Sequence, residues 1–315
     1  MPSSVVRTFT DPDDYAAAHR GAKAELTVIG RGHFTGKLTG IGLHRLRMQR
    51  SFDNLPRTAH SVNWKGLAII SFRTDSGPSL VRSGLEMRPT NIVRHGEDQV
   101  YYQRSSGSAS IGGMSLAVED MAAIGEAVAG IDLTPPRDTM LVTPPPRAMA
   151  ILQRLHAAAG HLAEEAPEII VNPDAARGLE QALVEAMISC LAGAEVREDS
   201  LAQRHHELIM RRFRRVVEEN PGEPLYIPEI CKAIRVAGRT LRLCSQQHLG
   251  MGPKRYLLLR RLHLSRQALR QAEPDATTVT DTATRYGFWQ LGRFAVEYQS
   301  LFGESPSVTL HRQSE

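Results

Sequence analysis

Apolar positions along this chain keep two different rhythms. From Leu26 to Leu116 they come as short runs: Leu26–Ile29, Phe34–Met48, Leu67–Phe72, Val100–Gln103 and Ile111–Leu116. Turn-formers such as Asp53-Asn54, Ser76-Gly77-Pro78 and Ser105-Ser106-Gly107 separate many of them. Short strands with this punctuation predict a β-sandwich or small barrel. A capped start, Asp11-Pro12-Asp13-Asp14, opens a short helix to about His19 ahead of that region. Val118–Ala129 reads as a helix after it, with Met121, Ile124 and Val128 at helical spacing. The stretch TPPRDTMLVTPPP, between Leu133 and Pro146, is too proline-rich for helix and reads as a linker or surface strap.

Beyond the prolines the rhythm becomes helical. Ala148–Glu164 and Asp174–Leu191 are the first two helices, and the second puts Leu179, Leu183, Ala186, Met187 and Cys190 on one stripe. That stripe fits an intramolecular core or a subunit interface equally well. A long helix follows from about Asp199 to Glu219. Ile209, Phe213, Val216 and Val217 form its apolar face, and Arg211, Arg212, Arg214 and Arg215 crowd its other sides.

The last hundred residues contain an internal repeat. Leu249-Gly250-Met251-Gly252-Pro253 returns 53 positions later as Phe302-Gly303-Glu304-Ser305-Pro306. An apolar residue followed by Gly-x-x-Pro marks a helix end, with glycine in the left-handed cap. Ahead of these stops Leu241, Ser245 and Leu249 match Phe294, Tyr298 and Phe302. Further upstream each copy has a short helix with i, i+3, i+4, i+7 spacing: Ile227, Ile230, Cys231 and Ile234, then Val279, Thr282, Ala283 and Tyr286. A short helix, a tight turn and a longer helix make a helix-turn-helix, whose second helix lies in a DNA major groove. One such hairpin is weak evidence of DNA binding. Two in register, with matching stops, are strong.

Pro253–Gln271, between the copies, reads as one linking helix. Leu258, Leu262, Ser265 and Leu269 form one stripe, Leu257, Leu264 and Ala268 a second, and Tyr256, Arg260, His263, Gln267 and Arg270 a polar remainder. At ~1.5 Å per residue it spans roughly 28 Å, close to the ~34 Å between successive major grooves on one face of a duplex.

Thr278–Leu310, TVTDTATRYGFWQLGRFAVEYQSLFGESPSVTL, resembles the signature segment of the AraC/XylS transcription regulators, most tightly from Gly287-Phe288 to Pro306. Ile230–Tyr256 is similar to that family's N-terminal helix-turn-helix, while the β-rich half is only loosely similar to its effector-binding or dimerisation domains. The resemblance implies a cytoplasmic bacterial protein that binds promoter DNA, most often an activator answering a small molecule. Three residues depart from the family's pattern. Ala237 stands where serine usually caps the first reading helix, Ser245 where a core phenylalanine is usual, and Val296 where arginine is frequent. Losing that cap costs about 1 kcal/mol locally.

With Leu241, Cys244 and Leu249 inward, the first reading helix presents Arg239, Thr240, Arg242, Leu243, Gln246 and Gln247, positions at which the family commonly contacts bases. Arginine pairs bidentately with guanine, glutamine with adenine, and Leu243 meets a thymine methyl. The second presents Gln290, Arg293, Val296 and Glu297, with Gly292 allowing close backbone approach. Lys254 and Arg255 are phosphate candidates, which position without specifying sequence. Against each stands the plain alternative of a solvated surface side chain.

Composition adjusts this picture only slightly. The 315 residues suffice for two domains, and 42% hydrophobic with 23% charged residues is ordinary for a globular chain. Net charge is +4, but residues 197–315 carry 19 basic against 13 acidic residues and the remainder 19 against 21. A basic C-terminal part fits a polyanionic partner. MPSSVVRTFTDPDDY lacks a basic segment followed by an apolar run, so no secretory signal is expected. No stretch approaches the ~18–20 apolar residues of a membrane span. Cys190, Cys231 and Cys244 have no metal spacing and are odd in number, which suits a reducing cytoplasm.

Other chemistry finds little support. His205 and His206 project about 100° apart on a helix and cannot share one metal, and His44, His60 and His95 have no ligand spacing. GSASIGGMSL, residues 107–116, lacks a Walker lysine and reads as a glycine-rich turn between strands. Gly-x-Ser-x-Gly is absent, and no cysteine precedes Cys190 to serve a repair enzyme. The expectation is therefore no enzyme, cofactor or metal.

The predicted fold class is α+β. Residues 1–146 form a β-rich regulatory domain and 147–195 a helical connector or dimerisation segment. Residues 196–315 form an all-α DNA-binding domain, with units at about 226–250 and 278–303. Double-stranded promoter DNA is the expected partner. A small-molecule effector of unknown site, a second copy, and RNA polymerase if the protein activates are left open, beside a ligand-independent dimeric scaffold.

Overall fold

The computed structural model describes every residue except 98, 198–200, 221–222, 274–275 and 313–315. Two antiparallel sheets make the N-terminal half. The larger runs β1 (Ser3–Phe9), β3 (Gly36–Gly42), β4 (Arg47–Asp53), β11 (Ala109–Ala117), β6 (Leu67–Arg73), β9 (Ile92–Arg94), β12 (Met140–Thr143) and β13 (Glu195–Arg197). The smaller runs β2 (Ala22–Val28), β5 (Arg57–Asn63), β10 (Val100–Ser105), β7 (Leu80–Arg82) and β8 (Leu85–Glu86). Helix α1 (Pro12–Ala17) lies between β1 and β2, and the Asp11 carboxylate caps it by accepting from the amides of Asp13 and Asp14.

Strand alternation decides what each face of the larger sheet meets. Ala68, Ile70 and Phe72 of β6, with Met114 and Leu116 of β11, pack under α2 (Val118–Ala129), α3 (Pro146–Glu165), α4 (Pro167–Val171) and α5 (Pro173–Ala192). Leu183, Met187 and Cys190 of α5 are wholly buried there, so that stripe is intramolecular core. Each buried leucine of this kind contributes about 1.5–3 kcal/mol. The Glu180 carboxylate, on the same helix, accepts from the amides of Arg45 and Leu46 and fixes the β3–β4 turn.

Between the sheets the filling is apolar at two ends and polar in the middle. Phe9, Tyr15, Leu26 and Phe34 form one apolar cluster, Leu80, Met87 and Val93 another. In the middle Arg57 pairs with Asp53 at 3.0 Å and donates to Gln103, while Arg82 donates to Ser71 Oγ and lies over the Tyr101 ring.

The C-terminal part is helical: α6 (Leu201–Glu219), α7 (Ile227–Ile234), α8 (Gly238–Leu249), α9 (Pro253–Gln271), α10 (Val279–Arg285), α11 (Leu291–Phe302) and α12 (Pro306–His311). Ile209, Phe213 and Val217 of α6 join Ile230, Ile234, Leu241, Cys244 and Leu249 in one core. Leu259, Leu262 and Leu269 of α9 join Ala283, Phe294, Tyr298 and Leu301 in a second. Both glycine stops have left-handed backbones, Gly250 at φ 71° and Gly303 at φ 75°. The prolines behind them, Pro253 and Pro306, open the next helices, because their fixed φ and missing N–H suit a first turn.

Several details differ from the pattern read along the chain. Phe34–Met48 is not one strand but two, turned at 43–46. Ser3–Phe9 pairs with β3 as an additional strand, and the proline-rich stretch contains β12, paired with β9 and β13. Gly112 and Gly113 lie inside β11 and not in a turn. A Cβ at Gly112 would stand 2.7 Å from the His156 ring and 2.9 Å from Phe72, so glycine lets α3 approach the sheet. Helix α6 is described from Leu201, and Asp199 lies outside the described residues. No helix is long and apolar enough to cross a membrane, among the described residues.

The polar face of α9 is the largest departure, because it is an interface with the N-terminal domain. Arg266 lies 2.6 Å from Asp11 Oδ2, Arg270 lies 2.7 Å from Asp11 Oδ1, and Gln267 donates to Asp13. The His263 ring bonds the Val28 carbonyl, and Tyr256 packs on Phe213. Helix α9 is therefore held on three sides.

Candidate nucleic-acid interface

Each unit seals one side of its second helix and leaves the other open. In α8, Leu241, Cys244 and Leu249 are fully buried, and burial raises the Cys244 thiol pKa. Arg239, Arg242, Leu243, Gln246 and Gln247 are exposed and Thr240 is half-buried. Residues 239, 242, 243 and 246 share one helical face. Arg235 turns the chain from α7 into α8 with a left-handed backbone, φ 56°. Ala237 stands at the N-cap with no side-chain bond, as its methyl requires.

The second unit is better capped at its entry. Thr278 and Asp281 form a reciprocal capping box at the start of α10, Thr278 Oγ1 donating to Asp281 at 2.6 Å and accepting from its amide. Phe288, Phe294 and Tyr298 pack with tilted and edge-on rings in the core behind α11. Gln290, Gly292, Arg293 and Val296 are exposed and Glu297 is half-buried. Lys254 and Arg255 are exposed on the first turn of α9.

Internal bonds separate these side chains into two kinds. Arg293 Nε donates to Glu297 at 3.0 Å. Gln246 donates to the Gly250 carbonyl, and Gln247 bonds the His206 ring at 2.7 Å. Those three are already engaged and must exchange partners to read a base. Arg239 and Arg242 have no ion pair among the described residues.

Sequence reasoning passed over Trp289. It is 83% exposed immediately before α11, beside Gln290, although indole is rarely left in water. Its signal was available: it falls outside the apolar spacing of both flanking helices. Val296 at 69% and Leu243 at 50% continue an apolar element on this otherwise polar surface.

The buried side of the first unit borrows from the N-terminal domain. Tyr102 of β10 belongs to the core of α6, α7 and α8. Ser245, at the position matching Tyr298, is fully buried and its Oγ has no hydrogen-bond partner. A second seam feature is a cleft of about 520 Å³ between α1, β2 and α9, with Lys23, Trp64, Arg260 and His263 among its lining.

Residues 230–312 match the family described as a helix-turn-helix domain. The chain is 37% identical over 94 residues to the probable thc operon regulatory protein of Rhodococcus erythropolis, covering 30% of this chain and 28% of that protein. It is 36% identical over 104 residues to XylDLEGF operon transcriptional activator 1 of Pseudomonas putida, covering 32% and 31%. The matches thus span about three-tenths of those relatives. Among solved structures the AraC-like transcriptional activator CuxR aligns with 83% of this chain and 94% of its own, at 14% identity and a TM-score of 0.43.

Proposed function

We propose, from a C-terminal segment that belongs to the AraC/XylS type of helix-turn-helix domain, that the whole chain is a sequence-specific, DNA-binding transcription regulator acting in the cytoplasm. The observation that carries this reading is the pair of helices α8 and α11, each sealed on its back and open on a polar, arginine-bearing front. The DNA-binding unit starts later than residue 196, with helix α6 at Leu201, because β13 (Glu195–Arg197) pairs with β12 in the larger sheet. Residues 1–146, with the connector 147–195 packed on them, are the regulatory unit.

In this reading α8 and α11 enter successive major grooves of one promoter face. Arg239, Thr240, Arg242, Leu243, Gln246 and Gln247 meet bases in the first groove. Gln290, Gly292, Arg293, Val296 and Glu297 do so in the second, and Lys254 and Arg255 hold phosphates. Footprinting of bound genomic fragments tests it: two protected segments about one helical turn apart are expected. Equal binding to random duplex at moderate salt would end it.

Regulation by a small molecule is favoured over a ligand-independent scaffold by the cleft at the domain seam, large enough for a metabolite. Its occupant would bias how the N-terminal domain holds α9, and so the population of DNA-competent chains. A thermal-shift screen separates the readings, since a specific ligand raises Tm. No stabilisation across a broad metabolite library would favour the scaffold.

A further inference from the structure

The outer face of the smaller sheet carries a row of three polar side chains directed at the DNA-binding domain. Glu25 of β2 is paired with His60 of β5, and His60 with Tyr102 of β10, in register across three adjacent strands. Glu218, in the last turn of α6, meets this row from the other domain. Donor atoms of Glu25, His60 and Glu218 all lie within 4.8 Å of one another. Beside them is a cavity of about 20 Å³, lined by Glu25, His60, Tyr102, Tyr256 and Arg260 among others, with room for one water molecule or ion.

Two buried polar atoms of this row are unsatisfied. His60 is only 8% exposed and its Nε2 has no hydrogen-bond partner, and neither has Tyr102 Oη. Leaving such atoms without partners costs about 1–3 kcal/mol each, so the arrangement calls for something that satisfies them.

We propose that Glu25, His60 and Glu218 bind one first-row divalent metal ion across the seam between the two domains, with Tyr102 Oη holding a water on that ion. One imidazole and two carboxylates, without thiolate, suit Zn²⁺, Mn²⁺ or Fe²⁺ over softer ions. Ligand atoms at ~2.0–2.2 Å from a shared ion lie about 3.4 Å apart in tetrahedral geometry, so from separations within 4.8 Å the three groups close by up to about 1.4 Å.

The charges of Arg214, Arg260 and Lys23 are felt at the His60 ring. Arg214 occupies Glu218 Oε1, at 2.8 Å, and leaves the other oxygen for the metal. Glu25 and Glu218 are exposed, which gives the ion a path in. The same three cations repel a dication and set the affinity below that of an all-anionic site. Once bound, the ion ties β2 and β5 to the helix that braces the first helix-turn-helix unit.

The test is calorimetric titration of the full-length chain, stripped by chelator, with ZnCl₂ and MnCl₂ alone. Co²⁺ absorption bands serve as a second report of protein ligands. One ion per chain is expected. His60→Ala and the surface variant Glu218→Gln should each weaken binding beyond the ~10–100-fold that losing an outer hydrogen-bond partner of a ligand costs. Far-ultraviolet circular dichroism checks that both variants fold. Absence of saturable uptake, or uptake by folded Glu218→Gln or His60→Ala equal to the parent chain, overturns the proposal.

Discussion

Arg266 Nη1 stands 2.6 Å from Asp11 Oδ2, joining the helix between the two helix-turn-helix units to the cap of the first helix in the chain. Both side chains are about nine-tenths buried. Burial pushes the Asp11 pKa up, but the charges of Arg266 and Arg270 outweigh it and hold the carboxyl below its ordinary value. Asparagine caps a helix as well as aspartate does, so Asp11→Asn removes the charge and little else. It should destabilise the chain by about 3 kcal/mol, the low end for breaking a buried pair. Asp13 and Glu304 remain within 4 Å of the guanidinium and soften the loss. Denaturant unfolding at neutral pH measures it, and a change below about 0.5 kcal/mol would show that the pair is structurally idle.

In the proposed complex Arg242 and Arg293 differ in what they give up, since of the two only Arg293 holds a carboxylate, Glu297. Either changed to alanine should weaken specific binding by about 1–3 kcal/mol, with the greater loss at Arg242. Gel-shift titration against a selected site reads both, and equal affinity of both variants and parent would remove these assignments. Lys254→Ala should instead weaken all sequences alike and lower the salt slope by about one.

Trp289 separates stability from binding. Its exposure predicts that Trp289→Ala changes unfolding free energy by no more than about 0.5 kcal/mol. Affinity for the promoter site should nevertheless fall severalfold. A large stability loss with unchanged affinity would make the indole a packing residue.

Much of this surface was legible beforehand, and the reason is periodicity. Matching stops at Gly250 and Gly303, and inward residues such as Leu241 and Phe294, are local signals that survive in one dimension. Seam contacts are different. Gln267 and Arg270 read as a polar face because nothing on their own helix announces the aspartates of α1. Tyr102 alternates within its strand like any half-buried residue, yet the core it enters lies more than a hundred positions away. Glu25, His60 and Glu218 come from three elements and share no spacing at all.

Ser245 offers a stabilising change. Its hydroxyl is buried and unpartnered at a position where the second unit places Tyr298. Ser245→Ala removes the unsatisfied group and should stabilise the chain by about 1 kcal/mol, seen as a higher Tm. A lower Tm would mean that the hydroxyl is served by ordered water.

Acid should loosen the chain before its carboxylates titrate. Burial, foremost, lowers the pKa of His156 to about 3 and of His248 and His263 to about 4. An unfolded chain takes up these protons near pH 6.5, so stability is full above that value and is lost as pH falls towards 4. Each group costs at most about 1.4 kcal/mol per pH unit in that window. Thermal melts from pH 7.5 to 4.5 should show a steady fall in Tm, and a flat profile would contradict neutral burial of these rings.

Of the nineteen residues of α9, only Lys254, Arg255 and Gln271 are exposed, all at its ends. Inserting or deleting a single residue in its middle would swing everything beyond by ~100° and shift it by ~1.5 Å. Arg266 would lose Asp11 and Leu269 its pocket in the same step. Length is therefore as strictly specified here as composition. Natural variation should accumulate at the two tips, while the interior drifts only through compensated exchanges with the partners it touches.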